Sequence, residues 1–109
     1  MAKLDDELAT TVEIDTHLDP TGAQIVVLSG ELDSSNAASL QEKMAAITEH
    51  PSQRLIFDLA GLRFMDSAGI AVLISAATQV NSVSVRNPSP IIRRVLETTG
   101  LSSVLVIES

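Results

Sequence analysis

The chain has 109 residues, 14 acidic and 7 basic side chains, and a formal net charge of −7. With no Cys, Trp or Tyr and only two Phe, it has no material for a disulfide framework, a thiolate nucleophile, a Cys-type zinc site or a base-stacking platform, and its acidic balance argues against duplex binding, which needs clustered Lys and Arg. No stretch approaches the roughly 20 consecutive apolar residues of a membrane helix, and the acidic start MAKLDDELATT does not read as a secretory signal, so the expected location is cytoplasmic.

The acidic tail over 1–10 is expected to be disordered, and one domain is expected over 11–109. Residues 11–15 (TVEID) alternate in polarity as a half-buried edge strand does. Pro20, Thr21 and Gly22 mark a turn. Ile25 to Leu28, closed by Gly30, is β-branched and apolar on both faces, which predicts a strand inside a sheet. Asp33, Ser34, Ser35 and Asn36 are all good helix caps. Behind them Ala37, Leu40, Met44 and Ile47 recur at helical spacing, with Gln41, Glu42 and Lys43 turned outward, until His50 and Pro51 end the helix. Leu55 to Phe57 predicts the next buried strand, ending at Asp58 and followed by a loop.

A second helix begins at Asp66 or Ser67, with Ile70, Leu73, Ile74 and Ala77 on its inner face and Val72 and Ala76 widening it. Val83 and Val85 alternate with Ser82, Ser84 and Arg86 as a short strand. A third helix follows, with Ser89 as cap, Pro90 in the first turn, Ile91, Val95 and Leu96 as inner stripe, and Gly100 as left-handed stop. Val104 to Ile107 reads as a last strand. The order β-β-α-β-α-β-α-β predicts a mixed sheet with a parallel interior.

Catalytic motifs are scarce. His17 and His50 fall in predicted turns with no triad or metal-ligand spacing near them, and neither a Gly-x-Ser-x-Gly elbow nor a phosphate-cradling loop occurs. No metal or cofactor is therefore expected, and an interaction protein is favoured over an enzyme. The first 50 residues carry a net −8 and the rest +1, a pattern that fits either a solvated acidic face or steering toward a basic partner.

Two strand-to-helix loops stand out. In DLAGLRFMDSAGI, 58–70, Ser67 stands at a helix start, where unpaired N–H groups and a partial positive charge collect. Its hydroxyl is either an ordinary cap or a phosphate acceptor that the helix tolerates. Asp66 either caps that helix or positions the hydroxyl and shapes recognition by a kinase. Gly69 allows close approach of another backbone or packs on the sheet, and Ile70 is core or contact. In SGELD, 29–33, Asp33 caps the first helix or, because such loops share one sheet edge, comes near Ser67.

The segments GELD at 30–33, FMDSAGI at 64–70, NPSP at 87–90 and TGL at 99–101 resemble the STAS domain, closest to the bacterial anti-sigma-factor antagonists, over residues 11 to 107. The resemblance implies a single α/β domain with a mixed four- to five-stranded sheet and about three helices mainly on one side. It implies an antagonist that binds an anti-sigma factor, often a GHKL-type serine kinase, and so frees a sigma factor for transcription. It also implies that the kinase can phosphorylate the Ser that follows Asp, here Ser67, and that a metal-dependent serine phosphatase reverses the step. Asp33 matches the family's acidic contact position. Glu31 lies in the same loop, and Asp66, Ser67, Gly69 and Ile70 form the rest of the partner-binding set. Thr78 to Ser84 (TQVNSVS) is shorter than is usual in that family, so the second helix is expected to lose its last turn or the fourth strand to be abbreviated. The competing readings are a STAS scaffold or sensor without Ser67 phosphorylation, and a small hydrolase using Ser67, which lacks a general base.

Overall fold

A computed structural model describes residues 11–49, 54–101 and 105–108. The expectations for the tail at 1–10, for His50 and Pro51 and for Val104 lie outside those residues. The strands are β1 (Val12–Leu18), β2 (Gln24–Leu32), β3 (Arg54–Met65), β4 (Ser82–Arg86) and β5 (Val106–Glu108). The helices are α1 (Ala37–Ile47), α2 (Ser67–Ala77) and α3 (Pro90–Thr98). The sheet order is β1-β2-β3-β4-β5, with β1 antiparallel to β2 and every other pair parallel.

Because the parallel strands advance in one direction through crossover helices of one hand, the three helices among the described residues fall on one face of the sheet. One cluster holds Leu40 and Met44 of α1, Val72 and Leu73 of α2, and Ile92 and Leu96 of α3 against Val26, Leu28, Phe57 and Val85 of the strands. A smaller cluster of Ala23, Ile25 and Ile56 lies apart from it, which is why the run from Ile25 to Leu28 is apolar at consecutive positions. The β1–β2 turn is tied by the Asp19 carboxylate, which accepts from the Thr21 hydroxyl at 2.6 Å, the Thr21 amide at 2.9 Å and the Ala23 amide at 3.0 Å. The Thr21 hydroxyl above all holds the Asp19 carboxyl below its ordinary value.

Several expectations are corrected. β2 does not close at Gly30 but runs on to Leu32. Gly30 sits at φ +96°, and a Cβ there would collide with the Thr11 carbonyl oxygen, so glycine carries the strand through a position other residues would strain. β3 does not end at Asp58 but reaches Met65. The pairing passes from Val27 opposite Asp58 to Ser29 opposite Gly61, and from Gly30 opposite Leu62 to Glu31 opposite Phe64. Each step inserts an extra residue into β3. The buried positions Leu59, Leu62 and Met65 therefore recur every third residue rather than every second, and the alternation that announces a strand disappears.

The inner face of α2 is Gly69, Val72, Leu73 and Ala76, while Ile74 remains 40% exposed. Gly69 turns the helix this way, since it packs on Leu32 and Met65 with no room for a side chain. In α3 the buried stripe is Ile92 and Leu96, and Ile91 is 68% exposed. Around the short segment after α2, the helix runs to Ala77 and β4 has five residues, Ser82–Arg86. Of the last strand as expected, Leu105 lies outside the observed β5, which covers Val106–Glu108 and so runs one residue past Ile107. The caps of α3 follow the sequence, with the Ser89 hydroxyl accepting from the Ile92 amide at 3.2 Å and Gly100 at φ +78°.

Candidate functional site

Leu32 pairs with Met65 at the ends of β2 and β3, so the loops that leave these parallel strands emerge side by side. Asp66 joins them. Its amide donates to the Leu32 carbonyl at 3.2 Å. Its Oδ1 accepts from the Ala68 amide at 2.9 Å and the Gly69 amide at 3.3 Å, and its Oδ2 accepts from the Ser34 amide at 3.3 Å. Of the two readings for Asp66, the cap is therefore realised, and the carboxylate also reaches across to the β2–α1 loop. Ser67 is the first residue of α2 and is exposed.

Asp33 does not cap α1 through its side chain. Its Oδ1 accepts from the Ser35 amide at 2.9 Å and the Ser35 hydroxyl at 2.6 Å, while its carbonyl receives the Ala37 amide at 2.8 Å. The residue at the cap position, Asn36, turns its side chain backward: Oδ1 accepts from the Asp33 amide at 3.0 Å and Nδ2 donates to the Glu31 carbonyl at 2.8 Å. The turn that presents Asp33 is thereby held from within, and the Ser34 bond to Asp66 sets it beside the start of α2. That bond joins Ser34, next to Asp33, to Asp66, next to Ser67.

Glu31 reaches Arg63 at 4.0 Å, with side chains 37% and 71% exposed, an ion pair too wet to add much stability. Gly69 is buried, so it seats the helix while its neighbours form the surface. Ile70 packs against the main core but keeps part of its side chain accessible. Of the residues named from the sequence, Glu31, Asp33, Asp66, Ser67 and Ile70 are all at least partly exposed, and the Ser34–Asp66 bond ties together the two loops they flank. Sequence reasoning missed the Ser34 amide, Arg63 and the 47% exposed Phe64, and it took Asn36 for a candidate cap without its backward bonds. The exposure of Phe64 follows from the β3 register shifts, which leave no periodic signal, whereas Asn36, directly before the helical stripe, is a visible turn former.

Among the described residues no group of three or more His, Asp or Glu side chains is placed to hold a metal ion, and no helix is long and apolar enough to cross a membrane. A family model described as STAS domain matches residues 12–109. The chain belongs to the STAS-domain family of anti-sigma-factor antagonists. An anti-sigma F factor antagonist of Lysinibacillus sphaericus is 34% identical over 82 residues, covering 71% of this chain and 70% of that protein. The crystal structure of an anti-sigma factor antagonist from Mycobacterium paratuberculosis superposes with a TM-score of 0.81 at 24% identity, covering 90% of this chain and 86% of that one. The antagonist SpoIIAA in its unphosphorylated form gives 0.75 at 20% identity over 89% of each chain. Its phosphorylated form, from Bacillus, gives 0.69 at 20% identity over 89% of this chain and 92% of that one. These solved structures establish the common fold of this STAS domain.

Proposed function

We propose that this chain is an anti-sigma-factor antagonist that binds an anti-sigma factor, releases a sigma factor for transcription, and is switched off by phosphorylation of Ser67. The observation that carries the reading is an exposed hydroxyl at the first position of a capped helix, set beside a rigid acidic turn by the bond from Ser34 to Asp66. In this reading the partner is a serine kinase of the GHKL type and supplies the catalysis. The Ser67 oxygen forms a bond to the γ-phosphorus of ATP, the bond to the ADP oxygen breaks, and the hydroxyl proton passes to a base on the kinase. A metal-dependent serine phosphatase returns the hydroxyl by hydrolysis. The chain itself contributes the acceptor and the docking surface, with Asp33 and Glu31 offering acceptors to a cationic group and Ile70 offering apolar contact.

A phosphoryl group adds about 1.5 to 2 negative charges. It leaves the fold intact because Ser67 faces solvent, but a partner packed on it must desolvate an unpaired dianion. Ser67→Ala is expected to keep the anti-sigma factor and to resist phosphorylation. Ser67→Glu is expected to weaken binding by about 10- to 100-fold, or roughly 1.4 to 2.8 kcal/mol. Affinity measurements with the host's anti-sigma factors, paired with phosphosite mass spectrometry after incubation with ATP, test both parts. Equal binding by the Ala and Glu variants counts against the switch.

A further inference from the structure

A phosphoryl group at the start of a helix ordinarily finds its stabilisation in the free amides of the first turn. Here those of Ala68 and Gly69 are already taken by Asp66 Oδ1, and Oδ2 of the same carboxylate is held by the Ser34 amide of another loop. With bonds on both oxygens, the carboxylate cannot swing aside without breaking contacts on two elements. The charged groups on the adjoining strand ends and turn offer little in compensation. Glu31 comes from β2, Asp33 from the following turn and Asp66 from the cap; Arg63 of β3 is the cation among them and leans toward Glu31 at 4.0 Å. The α2 sequence, SAGIAVLISAA, carries no charge.

We propose that Asp66 is the positioning residue of the switch: by occupying the Ala68 and Gly69 amides of α2 it prevents a phosphoryl group on Ser67 from folding back onto those donors and turns it outward, largely uncompensated, toward the partner. The proposal rests on Ser67 being the modified residue. It assigns to the cap a purpose beyond helix stability. A phosphate neutralised by its own helix would be a weak signal, and one denied those donors is a strong one.

The test needs no partner protein. Phosphoserine is installed at position 67 of the full chain, and the ³¹P resonance is followed against pH in the otherwise unchanged chain, in Asp66→Asn and in Asp66→Gly. Asn removes the charge but keeps one acceptor for the two amides. Gly removes both and is itself tolerated at a cap, and amide spectra verify that each variant is folded. In the unchanged chain the second phosphate ionisation is expected above that of free phosphoserine, which lies at about 6. It falls by a few tenths of a unit in the Asn variant and by about one unit in the Gly variant, as freed amides bind the dianion. The Ala68 and Gly69 amide resonances then follow the phosphate titration in the Gly variant alone. Equal shifts in the Asn and Gly variants would overturn the proposal, since charge would then be the whole effect. So would an ionisation at or below that of free phosphoserine in the unchanged chain. Either failure leaves the anti-sigma-factor binding experiment to decide the broader reading by itself.

Discussion

At Gly69 two effects of a single methyl group oppose each other. The residue lies inside α2 with ordinary helical backbone, where replacing Gly by Ala gains roughly 1 kcal/mol of helix propensity. Yet a Cβ there would stand 2.8 Å from Leu32 Cγ and Cδ2 and from Met65 Cγ, and Leu32 is completely buried. Overpacking of a closed site costs about 1 to 3 kcal/mol. The Cγ of Leu32 is close to its own backbone and has little freedom to retreat, so the clash wins. Gly69→Ala is expected to lower stability by about 1 to 2 kcal/mol, seen as a lower urea midpoint with unchanged slope. The same displacement lifts the start of α2 away from β2, so partner affinity falls as well, although the altered residue is itself buried. A midpoint equal to or above that of the unchanged chain would show that the pocket under Gly69 is looser than the geometry indicates.

Among the elements, α3 offers the sharpest contrast, because two adjacent isoleucines have opposite fates. Ile92 is fully buried and Ile91 is 68% exposed. Ile92→Ala should cost about 2 to 5 kcal/mol, whereas Ile91→Ala should stay within about 0.5 kcal/mol, in the same denaturation experiment. The reverse order would mean a helix rotated by one position. The sequence names the ends of α3 correctly, since Ser89, Pro90 and Gly100 act on the backbone beside them. It does not name the stripe, because Ile91 and Ile92 both sit at helical spacing from Val95 or Leu96, and only the sheet decides between them. The same division runs through the rest of the fold. Strand order and helix number follow from local turn chemistry and apolar runs. The extension of β3 from Asp58 to Met65 does not, because its two inserted residues are defined only against β2. At the site, Asp33, Asp66 and Ser67 were legible as polar residues in strand-to-helix loops. The bonds that unite them were not. The Ser34 bond to Asp66 and the Glu31–Arg63 pair depend on how β2 and β3 are shifted past each other, and the reversed Asn36 side chain on the exact path of the turn after β2.

For the molecule as a whole, the question is whether phosphorylation acts through net charge or through the patch it occupies. The chain already carries a formal −7, and a phosphoryl group takes it to about −9. The far field thus grows by only about a quarter, too little to turn a binding protein into a non-binding one by distant repulsion. The local change is much larger, because a neutral hydroxyl at a docking surface becomes an unpaired dianion that the partner must strip of water. The two causes respond differently to salt. The screening length is about 10 Å at 0.1 M and about 3 Å at 1 M, whereas groups buried in an interface are screened far less. Raising NaCl from 0.1 to 1 M is therefore expected to weaken the anti-sigma factor's grip on both forms of the chain, while the ratio of their affinities stays within about threefold. Fluorescence anisotropy on the unmodified and Ser67-phosphorylated chains across that range measures the ratio directly. A ratio that collapses toward one at 1 M would place the switch in the overall charge of the molecule, and the arrangement of Ser34, Asp66 and the α2 amides would then have no part in it.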